Sequence, residues 1–244
     1  VESTIGFDTK YAYEYIFGIS SWRELPSTTP TTWSGSDSNF FWPANWGNNA
    51  NGKLFWVTNF SKSTGDPIRY YDTITWTDFA PTIDNDGNVL AQARILLPFR
   101  GRFLALNTWE GADLATSDNY PNRIRYSAIG DPLAANAWNE DVPGKGSFLD
   151  IPISENIISA GFVRDNLVIF CERTTWQLRY TGQAIAPFQI DRINSELGSK
   201  GPFASVLFDT DIKTIGNRGI LSCDSFSCKR IDDKIQNFVF DYTN

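Results

Sequence analysis

Residues 160–180, AGFVRDNLVIFCERTTWQLRY, decide the fold. An apolar strand runs into the turn Arg164-Asp165-Asn166, the strand Leu167–Cys171 follows, a polar turn takes Glu172–Thr174, and the strand Thr175–Tyr180 closes the run. Two hairpins end to end make a sheet meander. Extended outward to Ile157–Phe162 on one side and Phe188–Ile193 on the other, the segment predicts four consecutive antiparallel strands, which is one propeller-like blade. Related units surround Gly52 (NGKLFWVTNF), Gly101 (ILLPFRGRFLALNTW) and Gly216-Asn217-Arg218-Gly219 (IKTIGNRGILSC). Turn centres at 52, 101, 165 and 217 are separated by 49, 64 and 52 residues, a spacing that suits a blade repeat of about four short strands.

The 244-residue length suits one large all-β domain or two small ones, and residues 1–244 are read as a single propeller-like domain. Aromatic residues make up 15% of the chain, with 18 Phe, 9 Trp and 9 Tyr, and such rings fit half-buried pleated surfaces better than helices. Strands are placed accordingly from Lys53–Thr58 and Ile68–Trp76 through to Ser227–Ile231 and Phe238–Phe240, with a short helical turn allowed at Pro132–Trp138. No run of 18 apolar residues is present, so no membrane span is expected, and the first residues lack the regions of an export signal. The chain contains no Met and is read as a processed product or a piece of a longer polypeptide.

The formal net charge of −7 argues against tight nucleic-acid binding, which needs clustered Lys and Arg to displace counterions. It leaves room for DNA passing nearby without sticking. With no His, the chain can build neither a two-His zinc site nor a Ser-His or Cys-His pair. Cys171 sits in an apolar strand and reads as a buried thiol. Cys223 and Cys228 flank a four-residue loop that sets them opposite each other; an oxidising compartment joins them and a reducing one leaves two thiols.

Asp84-Asn85-Asp86-Gly87-Asn88 resembles the opening of a calcium loop, but Ile95 stands where the closing acid is needed, so it reads as an Asx and Gly turn. The carboxylates of Asp84, Asp86, Glu110, Asp113, Glu140 and Asp141 supply pairs of the type used in glycoside hydrolysis, yet 28 acids in the chain supply such pairs by chance. Asn59-Phe60-Ser61 is an N-glycosylation triplet that carries little weight alone. No catalytic residue, metal ligand or cofactor is expected.

Residues 21–52 read as a long loop rich in Ser, Thr, Asn, Pro and Gly that nevertheless holds many large rings. Trp33, Phe40, Phe41, Trp42 and Trp46 are its candidate interface residues, since such rings would otherwise leave an apolar patch on an isolated chain. The same rings would also suit stacking on sugars.

From Asn122 onward the order NRIRYSAIGDPLAANAW, the blade with Val168-Ile169-Phe170 and Trp176, and the closing Arg230-Ile231-Asp232-Asp233-Lys234-Ile235 resembles the β-propeller core of bacteriophage tail structural proteins of the nozzle, or tail tubular protein B, type. The resemblance spans residues 93–241. It implies a non-enzymatic virion tail component: a ring of identical subunits, in contact with other tail or connector proteins, around the channel through which DNA leaves. An acidic wall would repel phosphates and let the duplex slide. A carbohydrate-binding propeller, or a glycoside hydrolase, is the alternative.

Overall fold

The computed structural model describes residues 3–26, 31–48, 52–60 and 65–234, with side chains at 47 and 48 left aside. Among these the chain is all-β, with nineteen strands and no helix. The strands form five blade-like antiparallel sheets, each a meander in chain order. Sheet I holds β1 (Thr4–Phe7), β2 (Ala12–Ile16) and β3 (Ser21–Glu24). Sheet II holds β4 (Trp42–Asn48), β5 (Gly52–Thr58), β6 (Ile68–Tyr71) and β7 (Trp76–Phe79). Sheet III holds β8 (Val89–Phe99), β9 (Arg102–Gly111), β10 (Asp118–Tyr126) and β11 (Ser147–Asp150). Sheet IV holds β12 (Ile157–Val163), β13 (Asn166–Cys171), β14 (Thr175–Tyr180) and β15 (Phe188–Asn194), and sheet V holds β16 (Ser205–Leu207), β17 (Ile212–Gly216), β18 (Gly219–Cys223) and β19 (Cys228–Arg230).

The chain divides into two compact units. Unit 1 is Val1–Tyr120 with Ile124–Leu149, and unit 2 is Pro121–Arg123 with Asp150–Asn244. Unit 1 has two aromatic cores. In one, fully buried Trp56 meets Phe79 edge to face with ring centres 4.9 Å apart and Phe103 at the same distance, and Trp138 closes over both. In the other, Trp33 and Trp76 pack with Ala12, Leu25 and Val57. Unit 2 is built on Val163, Val168, Phe170, Ile212 and Leu221 with the two linked cysteines. From Leu167 to Cys171 every residue of β13 is buried, so the strand is apolar on both faces and shows no alternation.

Local chemistry explains the turns. Arg100 and Gly101 both adopt left-handed backbone, at φ 51° and 75°, and so form the tight two-residue connection between β8 and β9, where Phe99 faces Arg102. The expected single strand Ile68–Trp76 is instead two strands. The Asp72 carboxylate accepts hydrogen bonds from the amides of Ile74 and Thr75, both at 2.8 Å, and turns the chain between β6 and β7. Pro132–Trp138 forms successive four-residue turns instead of a helix, with the Ala134 amide bonded to the Asp131 carbonyl and the Ala137 amide to the Ala134 carbonyl.

Among the described residues of 21–52, two stretches are strands instead of loop, β3 and β4. The repeat spacing holds with one shift. Turns at 101 and 165 each join the first and second strands of a sheet and Gly52 opens the second strand of sheet II, whereas 217 joins the second and third strands of sheet V. The expected strand Phe238–Phe240 lies outside the described residues, as do Ser61 of the glycosylation triplet and Ile235 of the closing segment.

Within unit 2, the backbone at Gly198–Lys200 joins sheet IV to sheet V. The Ser199 amide donates to the Cys171 carbonyl and the Lys200 amide to the Ile215 carbonyl, each at 2.9 Å. A Cβ at Gly198 would collide with the Cys171 carbonyl, and one at Gly216 with the Gly198 carbonyl. Glycine is required at both positions because main chain lies directly on main chain.

Candidate functional site

The expected interface residues fall into three environments. Trp33 is 3% exposed and belongs to the second core of unit 1, where Arg69 lies over its ring at 4.9 Å and donates Nη1 to the Thr32 carbonyl. Trp42 and Trp46 alternate with Ala44 along β4 and are half-buried against the Trp56 core. Their indole nitrogens are committed, Trp42 to the Leu96 carbonyl at 2.9 Å and Trp46 to the Gly130 carbonyl at 3.1 Å. Phe41 is half-buried and stacks on Phe7 with ring centres 4.5 Å apart and planes at 18°. Phe40 is the most open of the five, at 56% exposed.

Phe41 and Trp46 border a cleft of about 1040 Å³ in unit 1, between residues of sheets I and II. Phe7 stacks on Phe41 and, at a longer 6.2 Å, on Phe55, with Phe7–Phe55 planes at 17°. These rings pack against the Trp33–Trp76 core and also border the cleft. Around them stand Ser3, Thr4, Glu14, Arg23, Asn45, Lys53 and Thr73. Glu14 is already engaged: one oxygen accepts from Ser3 Oγ, and the other pairs with Arg23 at 2.9 Å. Burial pushes the Tyr71 hydroxyl above its usual range, with nearby Glu14 and Asp72 adding to the effect.

Sequence reasoning found Phe41 and Trp46 but missed Phe7, Asn45, Lys53, Phe55 and Tyr71. The signal for Asn45 was present in the period-two pattern of Trp42, Ala44 and Trp46, which places Pro43 and Asn45 on the opposite face of β4.

A second feature lies in unit 2. Edge strand β16 carries Val206 and Leu207, 56% and 60% exposed, and is flanked by Phe203 and Phe208 at 52% and 53%. Elsewhere in unit 2, Asp211 is held below the usual carboxylate range by hydrogen bonds from Lys213 and then Ser222, beside a small polar cavity of about 320 Å³.

Five of the six candidate acids accept hydrogen bonds that hold local structure. Glu110 and Glu140 both bind Arg125: Glu110 through two bonds at 2.7 and 2.8 Å, and Glu140 through one at 2.8 Å. Asp84 accepts from the amides of Asp86 and Asn88 and from the Asn88 side chain, forming the turn read from the sequence. Asp113 accepts from the Thr116 amide and hydroxyl, Asp141 accepts from the Asn85 amide, and Asp86 is exposed. Among the described residues no group of three or more His, Cys, Asp or Glu is placed to hold a metal ion. Nor, among them, is any helix long and apolar enough to cross a membrane.

No protein-family model matches the chain. No curated protein matches it either. Among solved structures it is similar to the extracellular domain of a hybrid two-component system from B. thetaiotaomicron, at 13% identity and a TM-score of 0.47. That alignment covers 96% of this chain and 28% of the other, so this chain spans little more than a quarter of that protein's length.

Proposed function

We propose that this chain is a structural subunit of a bacteriophage tail or head–tail connector, one of a ring of identical copies around the channel through which DNA leaves. The observation that carries the reading is the apolar edge of sheet V, where Phe203, Val206, Leu207 and Phe208 are all more than half exposed. Soluble chains blunt their edge strands with charge or cover them. In a closed ring of identical subunits, the cover is the neighbouring copy. The net charge of −7 supports the same reading, because an acidic lining would let a duplex slide without binding it. The role is non-enzymatic and needs no cofactor; the remaining partners are other tail proteins and the location is the virion tail.

The test is mass photometry and negative-stain imaging of the purified chain, together with mass spectrometry of purified virions. Rings are expected for the wild type, and Val206→Ser with Leu207→Ser should reduce them to folded single chains. A wild type that stays monomeric at every concentration, or is absent from virions, would remove the proposal.

A further inference from the structure

We infer that the tip of the β2–β3 hairpin in sheet I inserts into the surface layer of a lipid bilayer, with Phe17 and Ile19 entering the acyl boundary and Tyr15 and Trp22 lying at the headgroups. The hairpin is layered along its own axis. At the tip, Phe17 and Ile19 are 68% and 73% exposed. The turn supplies its own hydrogen bonds, from the Ile19 amide to the Ile16 carbonyl and from the Ser20 amide to the Phe17 carbonyl. Those two amides would enter an apolar layer already paired.

Below the tip, Tyr15 faces Trp22 across the hairpin with ring centres 5.3 Å apart, and Tyr15 also meets Phe17 edge to face at 5.0 Å. Trp22 is 51% exposed and leans over the bare backbone of Gly6, where a Cβ would stand 3.2 Å from its ring. Tyr and Trp pair an apolar body with one polar atom, and such rings settle where a membrane meets water.

The next cross-strand pair down is charged: Glu14 and Arg23, joined at 2.9 Å. Above it, residues 15–22, YIFGISSW, hold no charge. Glu14 stands three residues from Phe17, which is about 10 Å at a strand's rise of about 3.3 Å per residue. Apolar groups at a bilayer surface sink about 5–10 Å, so the charged pair stays in water. Apolar tip, aromatic belt and charge, in that order along one axis, follow the polarity gradient of a membrane surface; a protein-docking patch spreads across a face and has no need of the order. The exposed Phe226 tip of unit 2 lacks it, because its turn is built on the Asp224 carboxylate, whose charge would have to enter as well. Arg23 is the one cation of residues 12–24 and is paired, so apolar burial drives insertion and salt should leave it unchanged.

Insertion is independent of ring assembly, so either can fail alone. The experiment is flotation of the full chain with phosphatidylcholine vesicles, together with quenching of its Trp emission by brominated phosphatidylcholine. The wild type should float at about 1 mM lipid, equally well at about 0.1 and 0.5 M salt, and brominated acyl chains should quench part of its emission. Trp22→Phe should keep the flotation and lose most of the quenching. Phe17→Ser combined with Ile19→Ser should lower the partition coefficient about tenfold or more, with the thermal midpoint unchanged. Ile19→Asp, a single change at an exposed turn position, should do the same by placing a charge at the tip. A wild type that does not float, flotation abolished by salt, a double variant or Ile19→Asp variant that floats like the wild type, or quenching that survives Trp22→Phe would each overturn the inference. So would a double variant altered in oligomeric state alone, which would give the tip to a neighbouring chain.

Discussion

Trp33 meets Trp76 edge to face, with ring centres 5.2 Å apart and planes at 86°. The Trp33 amide donates to the Lys10 carbonyl and the Trp76 indole to the Leu25 carbonyl, so the pair ties the long 21–52 segment to sheets I and II. Trp33→Ala should therefore destabilise the chain by about 3 to 5 kcal/mol in urea unfolding, as large-to-small core changes do. The Trp33 indole nitrogen is buried with no hydrogen-bond partner among the described residues, so Trp33→Phe loses no bond and should cost clearly less than Trp33→Ala. Equal losses for the two variants would mean that ring packing is not what Trp33 supplies.

Arg125 is the second test. Its side chain is 1% exposed and holds Glu110, 4% exposed, through two bonds while also reaching Glu140. Arg125→Met would leave Glu110 buried without its cation, at a cost of about 3 to 5 kcal/mol. Glu140→Gln should cost much less, because Glu140 is more open to solvent and Arg125 retains Glu110. Denaturant midpoints of the two variants check the ordering.

Cys171 is buried, and burial pushes its thiol up to about 12. In the folded chain the thiol stays protonated where an unfolded thiol, with an ordinary value of 9.0, has lost its proton. The native state then binds more protons than the unfolded one, so stability falls as pH rises above 9, by about 1.4 kcal/mol per pH unit, until the folded value is reached. Cys171→Ser should make that slope shallower and leave the part due to Tyr71, whose raised value acts with the same sign above 10.0. Iodoacetamide should label no cysteine in the native chain, one in denaturant and three after reduction, given that Cys223 and Cys228 are joined with Cα atoms 4.1 Å apart. Three labels without reductant would show the pair open.

At the acidic end the sign reverses. Backbone amides hold the carboxyls of Asp8, Asp113 and Asp224 below the usual range, with Tyr11, Thr116 and Phe226 the leading donors. At Asp84, partial burial works the other way, but bonds from Asn88, Asp86 and Gly87 outweigh it. Groups with lowered folded values stabilise fully above 3.8, and that contribution is lost as pH falls through the folded value. Thermal midpoints should thus drop below about pH 4. Asp84→Asn keeps an oxygen for the turn amides and removes the titration, so its midpoint should be less acid-sensitive than that of the wild type.

The sheet meanders were legible in the sequence wherever apolar runs met a clear turn. Thr175–Tyr180 and Gly219–Cys223 are strands with the predicted ends, and Ile157–Phe162 and Leu167–Cys171 differ by one residue. β4 was not legible. Its sequence, WPANWGN, has the Pro, Asn and Gly of a loop, and it is a strand because Trp42, Ala44 and Trp46 reach a core and Pro43 sits on the edge strand of sheet II. Thr73 was hidden for a related reason, since a β-branched residue with φ of 82° is tolerated only because the Asp72 carboxylate organises the turn around it. The cleft draws on sheets I and II, from Ser3 to Thr73, and no local period in the sequence links such distant positions.

The glycine contact at 198 and 216 has a dynamic consequence for unit 2. Because bare main chain of the linker at Gly198 is held between Cys171 of sheet IV and Gly216 of sheet V, no side chain can rotate aside to let the sheets part gradually. Sheets IV and V should open as a single cooperative event. In hydrogen–deuterium exchange, the amides of Ser199 and Lys200, although between strands, should then exchange as slowly as those in the middle of β13.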